Sequence, residues 1–137
     1  MIFEVSNETA LPEVAKSIVP LISTHSITLF RGELGAGKTT LIKQLGKQMG
    51  VTSDMSSPSF GIVNQYDAPS GIVYHIDLYR IKHVDEIYEF GLPEILDSGS
   101  ICLIEWPEVV SEIWQDYDCS KVSITIEKSG LRRIFVQ

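Results

Sequence analysis

The stretch Gly32-Glu33-Leu34-Gly35-Ala36-Gly37-Lys38-Thr39 has the spacing G-x-x-x-x-G-K-[ST], and each fixed position has a physical reason. Without a Cβ in the way, the glycines let backbone N–H groups turn inward, so Gly35, Ala36 and Gly37 form an anion nest ahead of a helix N-terminus. Lys38 reaches the β- and γ-phosphates of a nucleotide. Thr39 offers a hydroxyl to a Mg²⁺ that bridges them. Phosphoryl chemistry also needs a carboxylate for the metal shell and a group that orients the attacking oxygen. Two acids qualify, Asp77 in His75-Ile76-Asp77-Leu78-Tyr79-Arg80 and Glu105 after Ile101-Cys102-Leu103-Ile104. Glu105 follows an apolar strand, where an Asp is more common in a Mg²⁺ site. Spacing does not say which acid is ligand and which is base.

Other residues are weaker candidates. Ser59, in Ser57-Pro58-Ser59-Phe60, suits a hydroxyl-bearing switch loop or a simple turn. Arg80, Arg132 and Arg133 are phosphate-contact candidates. His25, His75 and His83 lack metal-ligand spacing, which argues against zinc. Trp106 and Trp114 read as core packing rather than base stacking.

The elements that must hold these groups are legible as hydrophobic patterns. Met1 to Val5 is a short strand, and Asn7 caps a helix from about Glu8 to Thr24 with Leu11, Ala15, Ile18, Val19 and Ile22 on one face. Ser26 to Arg31 is a buried strand feeding the glycine loop, and Lys38 to Met49 is the helix after it. Ser59 to Tyr66 and Ile72 to Tyr79 flank a turn-forming cluster. Short helices are expected at Asp85 to Phe90 and Leu92 to Leu96, a strand at Ile101 to Ile104, and a helix from Pro107 to about Trp114. A hairpin, Val122 to Glu127 and Arg132 to Val136, turns at Ser129-Gly130. Strand–helix units with added hairpins imply an α/β fold: one domain over residues 1–137, with a mixed central sheet covered by helices.

The chain has 137 residues, 44% of them hydrophobic and 21% charged, enough apolar material for a core and unlike a disordered chain. It lacks an apolar run of membrane-span length and a basic, apolar leader, so a cytosolic protein with no membrane partner is expected. Cys102 and Cys119 belong to no C-x-x-C pair and are expected to be reduced. The net charge is −7, but residues 83–118 hold ten carboxylates and no Lys or Arg, leaving 11 − 8 = +3 elsewhere. Nucleic acid is repelled from that segment, which is either a solvated acidic face or a docking surface. There is no N-K-x-D guanine-reading string and no arginine-rich lid, which disfavours a Ras-like GTPase and a small-molecule kinase.

Taken in order, Gly32 to Thr40, Ser57-Pro58-Ser59-Phe60, His75 to Arg80, Leu103-Ile104-Glu105-Trp106 and Gly130-Leu131-Arg132-Arg133 resemble the TsaE family. Its members are small bacterial ATPases of tRNA threonylcarbamoyladenosine biosynthesis. Two departures stand out: Ser59 where the family has Thr, and Gly-Leu-Arg-Arg for Gly-Arg-Arg, which offsets the register of Arg132 and Arg133. The resemblance implies a P-loop NTPase domain that binds ATP and Mg²⁺. Lys38 and its neighbours Gly35 to Thr40 would hold phosphate, Thr39 and Glu105 the metal, and Asp77 would assist hydrolysis. Ser59 and Arg80 would sense the γ-phosphate, with Thr9 and Arg133 near the nucleotide. It further implies TsaD and TsaB as partners, with tRNA engaged only through them. The alternatives are a nucleotide-gated binding module with negligible turnover and, behind it, a small-molecule kinase.

Overall fold

The computed structural model describes residues 1–56 and 62–137. Strands β1 (Ile2–Val5), β2 (Ile27–Arg31), β3 (Val63–Ala68), β4 (Gly71–Asp77), β5 (Ile101–Glu105), β6 (Cys119–Ile126) and β7 (Arg132–Val136) form one seven-stranded sheet, ordered β1-β7-β6-β2-β5-β4-β3. The middle of the sheet, β6-β2-β5-β4, is parallel, and β1, β7 and β3 join it antiparallel. This is the mixed sheet expected from strand–helix units with hairpins attached.

Strand alternation sorts the core into two layers. Phe30, Val73, Leu103, Val122 and Ile134 face helices α1 (Leu11–Ile22) and α2 (Lys38–Gln48). Ile27, Leu29, Ile76, Cys102 and Ile104 face the other side, under α3 (Glu86–Glu89), α4 (Leu92–Asp97) and the 3₁₀ segment Pro107–Asp116. Helix α1 buries Leu11, Ala15, Ile18 and Ile22, a stripe at helical spacing. Its entry differs from expectation: Glu8–Ala10 is a 3₁₀ turn, because the Asn7 side chain accepts the Thr9 N–H and tightens the first turn.

The helix expected after Pro107 is 3₁₀ and breaks at Val110 (φ −129°, ψ 52°). The adjacent β-branched Val109 and Val110 resist helical crowding. The Trp114 indole N–H closes the segment by donating to Pro107 O at 2.8 Å. The β3–β4 hairpin pairs Ala68 with Gly71, which reduces the expected turn cluster to Pro69-Ser70. The expected start of β3 at Ser59 lies outside the described residues. Cys102 and Cys119 are free and sit on the strands flanking β2, both opposite Ile27. Among the described residues no helix is long and apolar enough to cross a membrane.

Candidate functional site

Ligands of open parallel sheets bind beyond the carboxyl ends of the strands, and here three such ends meet. Phe30 of β2 is level with Glu105 of β5, and Glu105 is level with Asp77 of β4. The glycine loop leaves β2 at this level and enters α2 at Lys38. Gly35 (φ 82°) and Gly37 (φ 102°) hold left-handed backbone that L side chains rarely adopt. Gly32 is required for space instead, since a Cβ there would lie 2.9 Å from Ile124 O and 3.2 Å from Ala36 Cβ. Helix α2 has no side-chain cap, so its N-terminal dipole faces the cleft, while within the loop the Ala36 N–H donates to Glu33 O at 3.0 Å.

Lys38 is 5% exposed. Its Nζ donates to Gly32 O and to Glu33 O, the latter at 3.2 Å, and lies 4.0 Å from the centre of the Trp106 ring. Trp106 in turn packs against Tyr79 in a tilted pair, with ring centres 4.9 Å apart and planes at 45°. It is the one non-glycine residue with positive φ among the described residues (φ 58°, ψ 47°), and this turn at the exit of β5 carries the indole over Lys38. Burial pulls the Lys38 ammonium below the usual lysine range, against the opposing pull of Glu105, Glu108 and Asp77.

Thr39 Oγ1 lies 3.0 Å from both Oε1 and Oε2 of Glu105. Glu105 is 3% exposed, and its Oε2 is 2.6 Å from Nε2 of His75, which is fully buried. The Nδ1 of that imidazole has no hydrogen-bond partner among the described residues. Asp77 accepts the Tyr79 N–H on Oδ1 at 3.0 Å, and burial raises its carboxyl above the usual aspartate range. A hydroxyl and a carboxylate converging beside a phosphate nest are hard oxygen donors of the kind Mg²⁺ takes, with phosphates and waters completing its shell. Thr39 and Glu105 therefore fit that ion.

The predicted residues are brought together unequally. Gly35, Ala36, Gly37, Lys38, Thr39, Thr40, Asp77 and Glu105 all line one open cleft of about 340 Å³. Thr9 is exposed and lines neither the cleft nor the recess beside it, and its N–H and hydroxyl donate to Asn7 Oδ1. That recess is lined by Glu8 and Leu11 together with Ala36, Gly37 and Arg132. Arg80 is exposed in the turn after β4. Ser59 lies outside the described residues.

Arg133 is placed away from the cleft, with Nη1 3.1 Å from Glu127 and Nε 3.4 Å from Glu4. Its neighbour Arg132 takes the position at the loop and donates from Nε to Ala36 O at 3.0 Å. The reason is strand parity: consecutive residues of β7 point to opposite faces, and only one of the pair can reach α2. Sequence reasoning weighed His75 only as a zinc ligand and read Trp106 as core packing, and so placed neither at the site. The signal for His75 was its separation of two from Asp77, which puts both on one face of β4. The position of Trp106 depends on a left-handed residue that no pattern announces.

A family model described as threonylcarbamoyl adenosine biosynthesis protein TsaE matches residues 5–134. Relatives named tRNA threonylcarbamoyladenosine biosynthesis protein TsaE include one from Rickettsia bellii, 37% identical over 109 residues, covering 79% of this chain and 75% of that protein. The one from Borreliella burgdorferi is 38% identical over 114 residues, covering 82% of each. The one from Bacillus subtilis is 32% identical over 126 residues, covering 89% of this chain and 77% of that one. Among solved structures, that of the Bacillus protein YdiB superimposes with a TM-score of 0.70 at 26% identity, covering 99% of this chain and 83% of the other.

Proposed function

The chain belongs to the TsaE family of threonylcarbamoyl adenosine biosynthesis proteins, and from that premise we propose that it is a Mg²⁺-dependent ATPase serving tRNA threonylcarbamoyladenosine formation. The observation that carries the reading is the contact of Thr39 with both Glu105 oxygens, directly beside the glycine loop and level with Asp77.

In this reading the loop amides and Lys38 bind the β- and γ-phosphates of ATP, and Lys38 leaves its carbonyl partners and the Trp106 face to do so. Thr39 and Glu105 would hold Mg²⁺, which would supply neutralisation of the phosphate charge. Asp77, opposite Glu105, orients the attacking water and accepts its proton. Its raised pKa makes it a stronger base than an exposed aspartate once ionised. The products are ADP and phosphate. Hydrolysis is slow in the isolated chain, and TsaD and TsaB are the proposed partners, with tRNA held by them and not by this acidic chain.

Phosphate release from ATP, measured with no acceptor present, tests the proposal. Lys38→Ala and Glu105→Ala are each expected to abolish the signal. Unchanged rates in both, or tight ATP binding with no release even when TsaD and TsaB are added, would refute it.

A further inference from the structure

We propose that His75 is a positioning residue, whose Nε2–H holds one oxygen of Glu105 so that the carboxylate presents a fixed edge to Thr39 and to the divalent cation. This rests on the reading of Thr39 and Glu105 as the cation site. In the sheet, His75 is level with Leu103 and so lies one diagonal step from Glu105, on the same face. That diagonal is spanned by the 2.6 Å contact between Nε2 and Oε2.

The need for such a brace follows from the acid present. Glutamate carries one more rotatable bond than aspartate, so its carboxylate needs more than one donor to fix it, and a hydroxyl has a single proton to give. Thr39 touches both oxygens equally at 3.0 Å and does not by itself choose between them. His75 breaks that symmetry. The fully buried imidazole also leaves Nδ1 without a partner among the described residues, so its one hydrogen bond in this layer is the one to Glu105. On β4 the same face carries the apolar Val73 before His75 and Asp77 after it, and an aliphatic side chain at 75 would fill the buried space without stranding a ring nitrogen. The ring is thus accounted for by what it does to the carboxylate and not by packing. Groups that hold a ligating carboxylate in place change metal affinity about 10- to 100-fold when removed.

The probe is Mn²⁺ with ADP, followed by loss of the free Mn²⁺ paramagnetic resonance signal, alongside ADP binding in EDTA by calorimetry. In His75→Leu and His75→Asn, which lack a donor at the reach of Nε2, Mn²⁺ affinity in the presence of ADP is expected to fall about 10- to 100-fold. ADP affinity in EDTA should stay within about twofold. His75→Gln, whose amide N–H reaches the same point, should recover most of the loss, and His75→Asn should add nothing in a Glu105→Gln background. If the leucine variant does not fold, the asparagine and glutamine pair decides. Wild-type Mn²⁺ affinity in His75→Asn overturns the inference, as does equal loss in asparagine and glutamine variants. Wild-type protein whose ADP affinity ignores Mn²⁺ would instead overturn the cation-site reading beneath it.

Discussion

Replacing Trp106 by alanine and, separately, by glycine isolates the cost of the left-handed turn that sets the indole over Lys38. Both changes remove the ring from Lys38, 4.0 Å away, and from Tyr79, 4.9 Å away. A cation over an aromatic face contributes about 0.5–2 kcal/mol and an aromatic pair about 0.5–1.5 kcal/mol. Adding the half-buried indole's lost contacts, the alanine variant should lose about 2–4 kcal/mol of stability. Alanine keeps the steric penalty of φ 58°, about 1–2 kcal/mol, which glycine does not bear. Glycine gives back about 0.5–1 kcal/mol through the greater freedom of its unfolded chain. The glycine variant should therefore be more stable than the alanine variant by about 0.5–1 kcal/mol. With a urea slope of about 1–3 kcal/mol/M, the two midpoints should differ by a few tenths of a molar. Urea unfolding followed by far-UV circular dichroism reads this directly. An alanine variant as stable as the glycine one, or more so, would mean that the turn relaxes once the ring is gone and that the backbone at 106 is not held by the β5 exit.

Three further outcomes follow from the structure. Asp77→Asn should abolish hydrolysis yet raise the thermal midpoint at pH 7, because burial raises the native Asp77 pKa above its unfolded value. A group of that sign stabilises the fold below its unfolded pKa and loses that contribution as pH rises through the native one, so the asparagine variant's advantage should vanish near pH 3. Scanning calorimetry at both pH values checks it. Arg132→Ala should weaken ATP binding, since Arg132 ties the loop at Ala36 O and lines the cleft. Arg133→Ala should leave binding unchanged and cost under about 1 kcal/mol, as its partners are exposed carboxylates. Calorimetric titration of both variants separates adjacent residues whose sequence contexts are nearly the same.

What could be read without the structure was local. The glycine loop sits between a strand and a helix because a β-branched apolar run, three glycines and a periodic helix are adjacent in the chain. Asp77 and Glu105 were recognisable because each ends an apolar strand where an ionisable group has no packing reason to be. The layer order of the sheet, in contrast, places β5 between β2 and β4, and neither periodicity nor spacing sets that register. It alone brings Glu105 to Thr39 and within reach of His75, groups separated by 66 and 30 positions in the chain. Strand parity then decides between Arg132 and Arg133, and one left-handed residue decides where Trp106 lies. Sequence determined which reactive groups are present and that a glycine-rich turn leads into a helix, because residue type and short-range spacing suffice for both. Tertiary structure decided which side chains complete it, because side-chain contacts across a sheet depend on register between strands that are distant in the chain.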